Sequence, residues 1–293
     1  MSYSGGIVTQ GSSYLVLRMT GIEEAADLLK VNKLKAAIEL VAEDLRNHPA
    51  DVRSRTFLFE LLCFAGEWAR AEKQLEIMRH QNADSEIGVQ VYANAIKAER
   101  ARRLVLEEGV HPHFFMYPPG YVDLQLGALA EIRTSHGQHG HEAYLRAQSQ
   151  WPTIRGKING KEFNGLRDCN DLLGPILEII VRDQYAWLPM EQISKIELGS
   201  PTKLRDSIWV SAQIEMINGT QGRMFIPALY AGSSSHSSGD IQLGRKTDWT
   251  EVVPQVFEAI GLRMFFTDEF EQALLGIRTI EFAELVNRNT EHA

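Results

Sequence analysis

Residues 20–83 carry one apolar pattern twice at a spacing of 34, and no other feature limits the fold so strongly. Ala25 recurs as Phe59, Leu28 as Leu62, Leu34 as Trp68, Ala37 as Ala71 and Val41 as Leu75. A 34-residue period is that of the tetratricopeptide repeat, two antiparallel helices per unit. The small residue in the first turn of each second helix (Ala37, Ala71) lets two backbones approach. The large one three positions earlier (Leu34, Trp68) fills the space at the turn. Pro49 falls where the first unit must stop, because proline cannot continue a helix. A single helix pair cannot bury its apolar face alone, so units stack, and stacks curve.

Capping residues set the helix ends. Thr20 and Glu23 form a capping box for a helix over Ile22–Lys30. Leu34, Ala37, Ile38, Val41 and Leu45 lie on one stripe of a helix over Lys33–Arg46. Asp51 caps Val52–Ala65, Gly66 turns the chain, and Glu67–His80 follows. Ser85 opens a long helix through Glu107, ended by Gly109. In such repeats the first helix of each pair lines the concave side, which predicts a groove showing Arg53, Thr56, Glu60 and Phe64. A groove of that width accepts an amphipathic helix or an extended peptide. The competing reading makes Cys63 and Phe64 plain core, since a helical stripe is usually packing.

Composition narrows the function classes. A net charge of −8 lacks the concentrated basic face of a phosphate-backbone binder. The two cysteines, Cys63 and Cys169, stand far apart with no CxxC neighbour, which fits a reducing cytosol. No run of about 18 apolar residues predicts a membrane span. Residues 1–18 are Gly/Ser-rich, without the basic-then-apolar order of a signal peptide, and read as a disordered extension.

The predicted domains are therefore an extension over 1–18, a repeat-like all-α domain over 19–150 and a mainly β, α+β domain over 151–293. Within the second, His111–Gly120 is an aromatic and proline-rich linker whose Phe114, Phe115 and Tyr117 are predicted to bind the halves together. Tyr121–Ser135 and Glu142–Ser149 read as helices. His136, His139 and His141 between them read as a solvated turn rather than a metal site, for want of an acidic ligand. In the third, Asn159-Gly160 and Asn218-Gly219 mark hairpins. Ile176–Val181, Tyr185–Leu188, Ile193–Leu198, Ile208–Ile217, Arg223–Leu229, Leu262–Phe266 and Ile277–Phe282 read as strands. Asp248 to about Ile260 reads as a helix.

Reactive constellations are scarce. Gly239 to Thr247 has one residue too many between glycine and lysine for a phosphate loop, and its Ile241/Leu243 alternation reads as a strand. Asp168, Asn170 and Asp171 fail the calcium-loop pattern at Leu172 and Leu173 and read as caps of the turn before Gly174-Pro175. No nucleophile elbow or zinc-binding helix motif occurs. No catalytic residue, cofactor or metal is predicted, although a metal-dependent enzyme built on Asp168 and Asp171 is the outlying alternative.

Several blocks resemble the ImpE family, also called SciE or TagJ, accessory proteins of bacterial type VI secretion. In the helical half these are Arg55-Thr-Phe-Leu-Phe-Glu-Leu-Leu-Cys63 and Gly66-Glu-Trp-Ala-Arg-Ala-Glu-Lys-Gln-Leu75. In the second half they are Phe163, Asp168-Cys-Asn-Asp-Leu-Leu-Gly-Pro-Ile-Leu-Glu178, Tyr185-Ala-Trp-Leu-Pro189 and Leu204-Arg-Asp-Ser-Ile-Trp209. Ile226-Pro-Ala-Leu-Tyr230, Gly244-Arg-Lys-Thr-Asp-Trp249 and Gly261-Leu-Arg263 continue the series. The resemblance runs from about Met19 to Phe282, departing at Asn170, where an acidic residue is usual, and in the stretch before Met19. It implies a non-catalytic cytoplasmic adaptor that binds the small sheath subunit TssB and is linked to the sheath-disassembly ATPase ClpV. A helix of the sheath subunit would lie on the repeat groove, oriented by Arg53 and Glu60. A repeat adaptor or co-chaperone outside secretion would explain the first half but not these later blocks.

Overall fold

A computed structural model describes residues 21–81, 86–135 and 137–283. Two compact units divide the chain between Val89 and Gln90, within one helix. The predicted residue-150 boundary is a change of secondary structure; the compact units part much earlier, and the helices over 120–148 belong with the sheet. Thr20, Ser85 and the 1–18 extension lie outside the described residues.

The first unit contains α1 (21–30), α2 (Leu34–Asn47), α3 (Val52–Phe64) and α4 (Trp68–Gln81). The repeat extends to its hydrogen bonds. Lys33 N–H donates to the Leu28 carbonyl at 2.8 Å, and 34 positions on Glu67 N–H donates to Leu62 at 2.9 Å. Each closes a helix through a left-handed residue, Asn32 (φ 61°) and Gly66 (φ 68°). Asparagine and glycine are the residues that tolerate this conformation, as the Schellman turn requires. Ala37 and Ala71 are both fully buried, and Val41, Leu75, Phe59 and Leu62 are buried too. Asp51 caps α3 by accepting from Arg53 N–H at 3.2 Å.

The second unit begins within α5 (Glu86–Glu108), which ends at Gly109 (φ 73°). Next come α6 (Gly120–Ser135) and α7 (Gln138–Gln148). His139 and His141 thus lie in the first turn of α7, not in a turn between helices, and His136 lies outside the described residues.

Eight strands then form one antiparallel sheet in the order β2-β1-β13-β6-β7-β8-β4-β5. They are β1 (Arg155–Ile158), β2 (Lys161–Asn164), β4 (Ile176–Val181), β5 (Gln184–Pro189), β6 (Ile193–Leu198), β7 (Trp209–Met216), β8 (Gln221–Pro227) and β13 (Thr279–Phe282). Inward residues such as Ile158, Ile179, Ile196, Ile214 and Ile280 build its core. Asn159 (φ 50°) and Gly160 (φ 82°) supply the two left-handed positions of a type I′ turn. At the other predicted hairpin, Gly219 N–H bonds to the Met216 carbonyl at 2.9 Å and Gly219 alone is left-handed. That is a type I turn with a glycine bulge.

Three expectations differ from the fold. Asp248–Ile260 is not a helix but a hairpin of β9 (Thr247–Val253) and β10 (Val256–Gly261). Thr247, Thr250, Val252, Val253 and Val256 are β-branched, which favours a strand, and Pro254 with left-handed Gln255 (φ 61°) turns the chain. Gly239–Gln242 is a short helix, α8, rather than a strand. Two of the three linker aromatics are not buried glue: Phe115 is 46% exposed and Tyr117 93%, while Phe114 is half-buried. The linker docks through its backbone instead, His113 N–H donating to Tyr185 and Trp187 N–H to His113 along β5. The short strands β3 (Arg167–Asp168), β11 (Met264–Phe266) and β12 (Glu271–Ala273) form a separate three-stranded sheet.

Candidate functional site

The four residues predicted to line a groove do not share one surface. Arg53 is exposed, and Thr56 is half-buried with its hydroxyl donating to the Val52 carbonyl at 2.8 Å. Glu60 and Phe64 are buried, at 6% and 1% exposure. The reason is that α3 packs against both α2 and α4, so most of its circumference is interior. Of the predicted groove lining, Glu60 and Phe64 are therefore interior, and Arg53 and Thr56 remain at the surface beside Val52. Beneath it, Arg55 donates to Gln74 Oε1 at 2.8 Å and to the Pro49 carbonyl, tying α3 to α4 and to the bend after α2. Ser54 donates to Asp51 at 2.7 Å and Asp44 at 3.1 Å.

Within the second unit, the blocks that carry the family resemblance converge on a buried ionic network. Glu178 lies in the middle of β4, fully buried. Arg102 of α5 grips it with two bonds of 2.8 Å, Nε to Oε1 and Nη2 to Oε2. Arg263 donates to the same carboxylate and, through its other nitrogen, to Asp168. Tyr185 donates to Glu178 Oε1 at 2.5 Å and accepts from Trp187 Nε1 at 2.7 Å. Tyr230 donates to Asp168 Oδ1 at 2.7 Å, and Asn170 N–H reaches the same oxygen at 2.8 Å. At the outer end Glu99 accepts from Arg102 at 3.3 Å and from Trp209 Nε1 at 2.9 Å.

Burial pulls these charges in different directions. It would raise Glu178, but Arg102 and Arg263 more than offset it and bring the carboxyl down to about 2. Asp168 faces one guanidinium rather than two, and there burial prevails and raises the carboxyl against Arg263. Burial also pushes the Tyr185 and Tyr230 phenols upward, so both remain donors.

The geometry leaves little room for reaction chemistry. A carboxylate offers about four lone-pair positions, and Glu178 receives four donors. Asp168 receives three. Asp171 accepts from Arg167 at 2.9 Å and from Phe257 N–H at 2.9 Å. The oxygens that a metal on Asp168 and Asp171 would need are thus committed to protein donors. Among the described residues, no group of three His, Cys, Asp or Glu side chains is placed to hold a metal. The predicted turn caps hold for Asp168, while Asp171 reaches across to β10. Asp171→Ala is expected to cost about 1–3 kcal/mol by orphaning the Phe257 N–H, measurable as a lower urea midpoint.

Arg102, Glu178 and Arg263 are not among the interacting residues that the sequence predicts. The available signal was a single acid inside the apolar run Ile-Leu-Glu-Ile-Ile-Val, which in a buried strand calls for a cationic partner.

Comparisons with known proteins fit this arrangement. The family model described as ImpE protein matches residues 160–281, which hold most of the network. The type VI secretion system accessory component TagJ of Pseudomonas aeruginosa is 34% identical over 259 residues, covering 88% of this chain and 90% of that protein. The chain belongs to the ImpE/TagJ family. The crystal structure of protein VPA1032 from Vibrio parahaemolyticus shares the fold at TM-score 0.79 and 21% identity, covering 90% of this chain and 98% of that one. In this member of the ImpE/TagJ family, the matched range 160–281 contains Asp168, Glu178, Tyr185, Trp187, Trp209, Tyr230 and Arg263 of the network. Two of them, Glu178 and Trp209, bond to Arg102 and Glu99 and so tie α5 to the sheet. Among the described residues, no helix is long and apolar enough to cross a membrane.

Proposed function

We propose that this chain is a non-catalytic adaptor of the bacterial type VI secretion system, acting in the cytoplasm. It binds the small sheath subunit TssB through its helical-repeat unit and is linked to the sheath-disassembly ATPase ClpV. The observation that carries this reading is the 34% identity to a type VI secretion accessory component across 88% of the chain. The saturated carboxylates of the ionic network support the non-catalytic part.

With Glu60 and Phe64 interior, the contact for the sheath subunit is assigned to the surface around Arg53 and Thr56, where Val52 is 39% exposed. An apolar patch beside a cation suits an amphipathic helix carrying an acidic residue. Co-purification of the tagged full chain with TssB and with ClpV, each alone, tests the assignment. Recovery of the sheath subunit without the ATPase present is the expected result. Recovery of neither, with an unrelated helical partner retained instead, would favour an adaptor outside secretion.

A further inference from the structure

The second unit holds a cavity of about 540 Å³, within the range of about 300–1,000 Å³ usual for small-ligand sites. One wall is apolar. Ile154 and Met190 are buried at 2% and 1% exposure, while Ile217 stands at the rim, 59% exposed, with Phe282 also lining the space. The other wall carries Glu191, placed by the single-turn helix Met190–Gln192 between β5 and β6. Tyr121 of α6, itself 4% exposed, donates to Glu191 Oε2 at 2.7 Å and fixes the carboxyl.

The charge is one-sided. Glu191 is the only ionisable side chain among the lining residues described, and none of them is a lysine, arginine or histidine. Burial raises its carboxyl, opposed by the Tyr121 bond and its own backbone N–H, so the site disfavours an unpaired carboxylate. A cation is the partner that this wall lacks. A bidentate guanidinium would need Oε1 and the remaining lone pair of Oε2 together, in one plane beside the Tyr121 bond. An ammonium needs one oxygen only.

We propose that this cavity is a binding site for a protonated primary amine on an aliphatic stem. The ammonium pairs with Glu191, and the stem lies along Ile154, Met190, Ile217 and Phe282. The same chemistry is offered by a free alkylamine and by a lysine side chain of a partner.

The test follows the isoleucine methyl signals of the full chain by NMR during titration with n-butylamine, Nα-acetyl-lysine methylamide and n-butanol. Saturable shifts at Ile154 and Ile217 are expected with both amines and not with the alcohol. Tighter binding of the lysine amide identifies a protein side chain as the natural occupant, and tighter binding of butylamine a free amine. Glu191→Gln is expected to weaken amine binding at least tenfold. Ile217→Lys, at an exposed position, is expected to do the same by placing a tethered ammonium at the mouth. Equal shifts with n-butanol, no saturable shifts, or unchanged amine affinity in either folded variant would overturn the proposal.

Discussion

Replacing Glu178 with glutamine is expected to destabilise the protein by about 3–5 kcal/mol, because it leaves two guanidiniums buried against a neutral side chain. Arg102 and Arg263 would both remain, at 4% and 0% exposure. A glutamine also presents an N–H₂ group where Glu178 Oε1 or Oε2 now accepts donors, so at least one bond becomes a repulsion. Urea unfolding of the full chain checks the magnitude. Adding Arg102→Met to Glu178→Gln is expected to recover part of the loss, since an apolar side chain in place of a buried charge left with Glu99 as its counter-ion at 3.3 Å removes its desolvation penalty.

Acid has a related and separable effect. Glu178 is held down to about 2 in the fold, against an ordinary 4.5, so its ionised form is favoured by folding. Its contribution is complete above about 4.5 and disappears as pH falls toward 2. Asp168 works in the opposite sense: burial holds it above its ordinary value, so its ionised form opposes folding and that opposition eases as pH falls. The wild-type stability therefore declines between pH 4.5 and 2 by more than that of Glu178→Gln, whose side chain does not titrate.

Phe64→Ala is expected to cost about 3–5 kcal/mol, the usual penalty for emptying an aromatic site in a core. The side chain is 1% exposed at the end of α3, beside Leu61 and Leu62, which are fully buried. This loss should appear without any partner present. Arg53→Ala, by contrast, removes an exposed side chain and is expected to change stability by less than about 0.5 kcal/mol. The pair separates packing from the proposed recognition on one helix: Phe64 supports the fold, while Arg53, the proposed contact, can be changed without moving the urea midpoint.

How far the sequence discloses these roles depends on the range of the physics. The repeat is legible because its determinants are local: a 34-residue spacing, small residues where helices touch, and a left-handed residue at each turn, with Asn32 and Gly66 as equivalents. The two hairpins are legible for the same reason, through Asn159-Gly160 and Gly219. The β9–β10 hairpin is harder, since Glu251, Glu258 and Ala259 suit a helix and only the β-branched run and Pro254-Gln255 oppose it. Groove exposure fails because a helical stripe shows which residues share a face, not how many neighbours cover the helix. The ionic network is least legible. Its partners lie far apart, Arg102 from Glu178 by 76 positions and Asp168 from Arg263 by 95. Such pairings are set by topology, and topology is not written in any window of the chain.

The most direct test of the adaptor account is a calorimetric titration of the full chain with purified TssB, comparing wild type with Arg53→Glu at equal urea stability. The account predicts saturable one-to-one binding that Arg53→Glu weakens at least tenfold, about 1.4 kcal/mol. Unchanged affinity in Arg53→Glu would contradict the assigned surface, and no heat of binding with wild type would contradict the adaptor reading itself.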